Sequence, residues 1–94
     1  MARKVRVCVR FPGLVAEATG VSQVEVEART LREALDAALA SAPALRHHLC
    51  EEDGRFRTHV LCFHNGTSTR ELKSLEVPLR EGDVIAFVQA VSGG

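Results

Sequence analysis

The chain has 94 residues, of which 46% are apolar and 26% charged. That suits one folded domain with a modest core, and it excludes both a disordered chain and a large protein with a deep catalytic cavity. Twelve basic residues balance twelve acidic ones, whereas a nucleic-acid binder shows a basic excess or stripe, so the short group Arg3, Lys4, Arg6 and Arg10 reads as a solvated strand face.

Val5, Val7 and Val9 alternate with Arg6, Cys8 and Arg10, which predicts a half-buried strand from about Lys4 to Phe11, broken by Pro12-Gly13. Val24, Val26 and Ala28 alternate with Glu25 and Glu27, giving a second strand joined to the first by a hairpin with a long loop. Thr30-Leu31-Arg32-Glu33 has the form of a capping box, in which the Thr30 hydroxyl accepts from the Glu33 backbone N–H and the Glu33 carboxylate reaches back. Leu31, Ala34, Leu35, Ala38 and Leu39 follow at helical spacing, and Pro43 ends that helix by Ala42, with Leu45 and Leu49 on a short irregular helical turn.

After the polar loop Glu51-Glu52-Asp53-Gly54, Thr58 to His64 is a third strand, and Asn65-Gly66 is a strong turn signal. Residues 67–79 are expected to hold a short strand and a single helical turn. The run from Val84 to Val91 is almost wholly apolar and predicts a central strand buried on both faces. Strand, strand, helix, strand, minor strand, strand is an α+β order: a mixed sheet of four or five strands with one main helix on one face. Placing the first and last strands side by side in the centre lets both bury their apolar residues, which is the β-grasp arrangement.

The short N-terminal lead has no apolar signal region, and no apolar run approaches the ~20 residues that span a bilayer. Cys8, Cys50 and Cys62 are an odd number without a framework of short spacings. A reducing cytoplasm is the expected setting, with the cysteines as small apolar fillers. His47, His48, Cys50, His59, Cys62 and His64 lack the tight paired spacing of a zinc site, so no metal is expected. No cysteine has neighbours that suggest an activated nucleophile. Pro12-Gly13 and Gly20 do not form a phosphate-binding loop, so any ATP belongs to a partner.

The unusual feature is the ending. The most apolar strand runs to Val91, and only Ser92, Gly93 and Gly94 follow. The glycines lack Cβ, so their backbone fits a narrow channel. The terminal carboxyl, with a reference pKa of about 3.5, is ionised at neutral pH and inert until an ATP-dependent enzyme converts it to an acyl-adenylate.

Residues 81–94, Glu-Gly-Asp-Val-Ile-Ala-Phe-Val-Gln-Ala-Val-Ser-Gly-Gly, resemble the ending of the ubiquitin-like sulfur carriers, with their Gly-Asp turn, apolar strand and small residue before Gly-Gly. These carriers include the small subunit of molybdopterin synthase, the carrier of thiamine biosynthesis and a carrier that supplies sulfur for cysteine. The strand and Asn-Gly at Val60 to Gly66, Pro78-Leu79, and the Thr-Leu-Arg-Glu helix start also fit. The resemblance implies a β-grasp domain over residues 1–91 and a flexible tail at 92–94. It implies that Gly94 is adenylated by a Rossmann-like activating enzyme and converted to a thiocarboxylate. Val91, Ser92 and Gly93 would enter partner active sites. A persulfide or sulfide donor such as a sulfurtransferase and a sulfur-accepting synthase complete the set of partners, and the chain itself is neither an enzyme nor a binder of cofactor, nucleic acid or membrane.

The family's strand pattern turns Ile85 and Phe87 inward and places Ala86 and Val88 on the open face. Leu61 and Phe63 would share that face and complete an apolar docking patch. The opposite orientation of the third strand, with Val60, Cys62 and His64 outward, satisfies the periodicity equally well. The extra length at 42–57 resembles the cysteine-pathway carriers. Two other functions fit the same tail: a ubiquitin-like modifier joined to lysines through Gly94, and an interaction module with an incidental ending.

Overall fold

A computed structural model describes residues 3–70 and 72–89. Its elements are β1 (Val5–Arg10), α1 (Gly13–Thr19), β2 (Gln23–Ala28), α2 (Leu31–Ser41), α3 (Pro43–Leu49), β3 (Val60–His64), β4 (Thr67–Ser68) and β5 (Val84–Gln89). The five strands form one mixed sheet in the order β2-β1-β5-β3-β4. The first and last strands lie side by side and parallel, with Cys8 beside Val84, Val9 beside Ile85 and Arg10 beside Ala86. The other pairings are antiparallel. This is the β-grasp fold expected from the element order.

The alternation of β1 sends Val7 and Val9 into the core, where Ile85 and Phe87 of β5 and Val60 and Cys62 of β3 meet them. Above this face lies α2, and Leu31, Ala34, Leu35, Ala38 and Leu39, the stripe read from its helical spacing, are all buried. Phe87 stacks on Phe11 with ring centroids 5.8 Å apart and meets Phe56 edge-on at 5.3 Å. Those contacts seat the C-terminal half of β5 on an aromatic cluster.

The Thr30 cap forms, accepting from the Glu33 N–H at 3.3 Å. The returning Glu33 carboxylate accepts from the Arg29 N–H at 2.9 Å, one residue before the cap. Two further N–H groups of the first turn of α2, those of Leu31 and Arg32, donate to the carbonyls of Val77 and Leu75. A helix start leaves such donors without intrahelical partners. Serving them engages the backbone at Leu75 and Val77; before it, β4 is present as expected, and the single turn expected within 67–79 takes the form of the Leu72 N–H donating to the Thr69 carbonyl at 3.1 Å.

Three expectations are corrected. The connection between β1 and β2 is not a plain loop but holds α1, entered from an extended Pro12 and closed by Gly20 in the left-handed conformation at φ 79°. It has no side-chain cap and buries only Val15, so it shows no helical stripe in the sequence. The turn around Leu45 and Leu49 is a regular seven-residue helix, α3, started by Pro43 at its first position, so α1 and α3 accompany the one main helix, α2, that packs on the sheet. Strand β5 is central but not buried on both faces: Ile85 and Phe87 are buried, while Val88 is 44% exposed.

Asp83, just before β5, ties three strands together at one end of the sheet. Its backbone carbonyl accepts from the Cys8 N–H. Its carboxylate accepts from the Arg80 N–H and the Asn65 side-chain amide, each at 3.0 Å, and lies 2.9 Å from Nε2 of His64. The Asn65 side-chain oxygen in turn accepts from the Val84 N–H at 2.9 Å. Asn65 and Gly66 hold positive φ of 49° and 86°, the pairing that a two-residue hairpin turn demands.

Desolvation pushes the Asp83 carboxyl up, but the Arg80, Asn65 and His64 hydrogen bonds outweigh it and hold the group below its ordinary value. A carboxyl whose folded-state pKa is depressed contributes stability that is complete above the unfolded value and is lost as pH falls through the folded one. Asp83→Asn is therefore expected to cost about 1–3 kcal/mol at neutral pH. It should also flatten the loss of stability as pH falls below the ordinary carboxylate value of about 3.9. Urea titrations across that range check both, and an unchanged pH slope in the variant would contradict the assignment.

Candidate functional site

The register of β3 against β5 fixes what the open face of the sheet carries. Leu61 lies opposite Val88 and Phe63 opposite Ala86, while Val60 and Cys62 point to the core side and are buried. Leu61, Phe63 and Ala86 are half-buried although no helix covers them, and Val88 is exposed. The two orientations that periodicity left open for the third strand are thus resolved: Leu61 and Phe63 share a face with Ala86 and Val88. Four apolar side chains form a strip on the two strands nearest the tail.

Three residues of β5 set the root of the tail. Phe87 is packed into the core, Val88 stands on the strip, and Gln89 lies on the core face opposite Val60. The side-chain oxygen of Gln89 is buried and has no hydrogen-bond partner among the described residues. Val91, Ser92, Gly93 and Gly94, together with the boundary expected after Val91, lie outside the described residues.

On the neighbouring strand β1 the outward positions are Arg6, Cys8 and Arg10, with Arg10 beside Ala86. Beyond it, β2 turns out Gln23, Glu25 and Glu27, opposite Arg10, Cys8 and Arg6 respectively. The open face therefore passes from apolar to basic to acidic across four strands. The reading of the arginines as a solvated strand face missed their position at the border of the strip. The alternation of β1, combined with its pairing to β5, carries that information.

No chemistry-bearing cluster competes with this surface among the described residues. No three His, Cys, Asp or Glu side chains come together there as a metal site would need. His64 is engaged by Asp83, and His47 and His48 lie edge-on to each other in α3. Burial pushes the Cys50 and Cys62 thiols up from their ordinary value, against the pull of Arg46 and Arg57 on Cys50 and of Thr69 on Cys62. A depression of about 730 Å³ lies open along the loop from Glu51 to Thr58. Two of its carboxylates, Asp53 and Glu51, are paired with its own Arg55 and Arg57. No helix of the described residues is long and apolar enough to cross a membrane.

Comparison with known proteins agrees with this geometry. The model of the ThiS family matches residues 9–94. A search of curated protein sequences gave no significant match. Among solved structures, the small archaeal modifier protein SAMP1 of Haloferax volcanii superposes with a TM-score of 0.77 at 28% identity, covering 95% of this chain and 99% of that one. A chain of the BexX/CysO complex of Amycolatopsis orientalis gives 0.74 at 25% identity, covering 94% and 99%. A chain of the complex of subunits 1 and 2 of the molybdopterin-converting factor of Helicobacter pylori gives 0.63 at 27% identity, covering 96% and 100%. With the family model spanning all but the first eight residues and the fold shared with these proteins, the chain belongs to the ThiS family of ubiquitin-like sulfur carriers.

Proposed function

We propose that the protein carries sulfur as a thiocarboxylate on Gly94 and hands it to a biosynthetic acceptor. The observation that carries this reading is the match of the family model through to the Gly93-Gly94 ending, with the tail rooted in the central strand β5. A Gly94 carboxylate oxygen attacks the α-phosphate of ATP held by an activating enzyme, and pyrophosphate leaves. Sulfide, or the terminal sulfur of a persulfide, then attacks the acyl carbon and AMP leaves. With a persulfide donor, a further thiol cleaves the S–S bond and frees the thiocarboxylate. This chain contributes the reacting carboxylate, a thin backbone that reaches it into the partner, and a surface by which the partner holds the domain. It is a protein cosubstrate, and the chemistry is done by its partners, a sulfurtransferase-type donor and a sulfur-accepting synthase among them.

Leu61, Phe63, Ala86 and Val88 are the docking surface in this reading. An apolar strip that is half-buried at Leu61, Phe63 and Ala86 and exposed at Val88, beside the root of the tail, is a poor solution for an isolated domain and a good one for a domain that is repeatedly bound. The association of relatives with other proteins, seen in the BexX/CysO and molybdopterin-converting-factor complexes, supports it. A second reading, conjugation of Gly94 to lysine amines, is favoured by one observation, the likeness to a small archaeal modifier protein. The same acyl-adenylate serves both, because an amine can displace AMP as sulfur does.

Incubation with the cognate activating enzyme, ATP and a sulfur donor is expected to replace one terminal oxygen by sulfur, read by intact mass. Deletion of Gly94 abolishes the product, and a normal yield from the truncated chain would refute the carrier role. Val88→Glu, at an exposed position, is expected to leave the fold intact by circular dichroism. It should weaken binding to the activating enzyme by about tenfold or more, as loss of a central apolar contact does. Unchanged affinity would remove the strip from the interface. Gly-Gly remnants on cellular lysines after proteolysis are the outcome that supports the second reading.

A further inference from the structure

The arginines of β1 call for an explanation that solubility does not supply. Charged residues are common on edge strands, where they block pairing with other chains, and the acidic strand β2 fits that role at the sheet edge. β1 is an interior strand, paired on both sides, and needs no such protection. Yet Arg6 and Arg10 both stand exposed on its open face. Neither forms an ion pair within 4.0 Å among the described residues. Glu27 lies opposite Arg6 without reaching it, and the residue opposite Arg10 is the neutral Gln23. Arg10 is also the arginine set directly beside Ala86 of the apolar strip. A guanidinium so placed keeps its planar fork free for a carboxylate brought by another molecule.

We infer that the partner that docks on the strip carries carboxylates that meet Arg10 and Arg6, and that these charges steer the encounter while Leu61, Phe63 and Val88 hold the complex once it has formed. This deepens the sulfur-carrier reading and rests on it, with the activating enzyme as the occupant of the surface. The charge gradient gives the encounter a direction. An acidic margin on the partner is attracted to β1 and repelled by Glu25 and Glu27 one strand further out. A docking pose shifted by one strand spacing towards the edge, or rotated so that the acidic margin faces β2, therefore sets like charges together, which disfavours it. The correct pose places apolar on apolar and carboxylate on arginine at once.

The division of labour can be measured as rates of association and dissociation between the full chain and its cognate activating enzyme across a salt series. For the unmodified chain, the association rate is expected to fall about tenfold or more between roughly 20 mM and 300 mM salt, as exposed charges are screened. Arg6→Glu with Arg10→Glu should slow association about tenfold at low salt, flatten its salt dependence, and change dissociation by less than about threefold. Arg6→Gln with Arg10→Gln should give an intermediate rate, and it guards against a fold disturbed by charge reversal. Glu25→Lys with Glu27→Lys should speed association, because it widens the basic field.

The inference is overturned if the charge-reversed arginine variant, folded by circular dichroism, associates at the unmodified rate with the same salt slope. It is also overturned if the lysine variant slows association, since that would place basic groups on the partner. Failure of the enzyme to adenylate Gly94 of the unmodified chain overturns the carrier reading and this inference together. Adenylation with charge-independent association overturns this inference alone.

Discussion

The pairing of β1 with β5 is the constraint on which the rest of the molecule depends. Two strands from opposite ends of the chain lie parallel at the centre of the sheet; β2 adds to one and β3 to the other, and β4 adds to β3. Their inward residues, Val7, Val9, Ile85 and Phe87, form the floor on which α2 rests. Most of the chain must be looped out before this pairing closes, an entropic cost that local contacts cannot offset early. The Asp83 cluster lowers the difficulty at one end, because it gathers backbone groups from β1 and β5 and side chains from the β3 turn. At the opposite end of β5 no such polar clasp is present among the described residues. That end is held by the stacking of Phe87 on Phe11 and Phe56, and the tail begins there.

The two faces of the sheet obey different rules. The inner face follows packing: α2 lies on it, and its apolar residues are buried at the centre and half-buried towards the β2 edge. On the outer face no helix of the described residues packs on β5 and β3, yet their outward positions Leu61, Phe63, Ala86 and Val88 remain apolar. A domain selected for stability alone would set polar residues there. Keeping Val88 in water forgoes its share of hydrophobic stabilisation, ~25 cal/mol for each Å² left exposed. The concession is confined to a strip bordered by arginines, so the exposed patch stays narrow.

Much of this was legible in the sequence where one physical signal dominated. The alternation of β1, the stripe of α2 and the Thr30 cap each reflect a single local rule, and each appears in the structure at its expected place. The sequence was opaque where two rules conflict. In β5 a continuous apolar run usually means burial on both sides. Here Val88 is exposed and Ala86 only half-buried, because the strip departs from the ordinary in/out pattern, and such departures concentrate at functional positions. Helix α1 was invisible because it buries one side chain and lacks a side-chain cap, although Gly20 after it was a usable stop signal. In the segment before β5 the carbonyls of Leu75 and Val77 are committed to a helix distant in sequence, and no local pattern records that. For the site, the orientation of β3 was undecidable from a run in which both sets of alternate residues are largely apolar. Only its register with β5 decides it.

The inertness of two cysteines acquires a meaning from this context. Cys50 and Cys62 are buried, and burial keeps their thiols protonated. A protonated, enclosed thiol is a poor nucleophile and cannot readily meet a bulky sulfur donor. Molecules that move activated sulfur work among persulfides and disulfides, where any accessible thiolate is a competing acceptor. Had these two sulfurs been on the surface, cargo could have leaked into mixed disulfides on the body of the carrier. Enclosing them withdraws two of the three thiols of the chain from that competition and leaves Cys8, half-buried on the open face between Arg6 and Arg10, as the one sulfur of the domain within a donor's reach among the described residues.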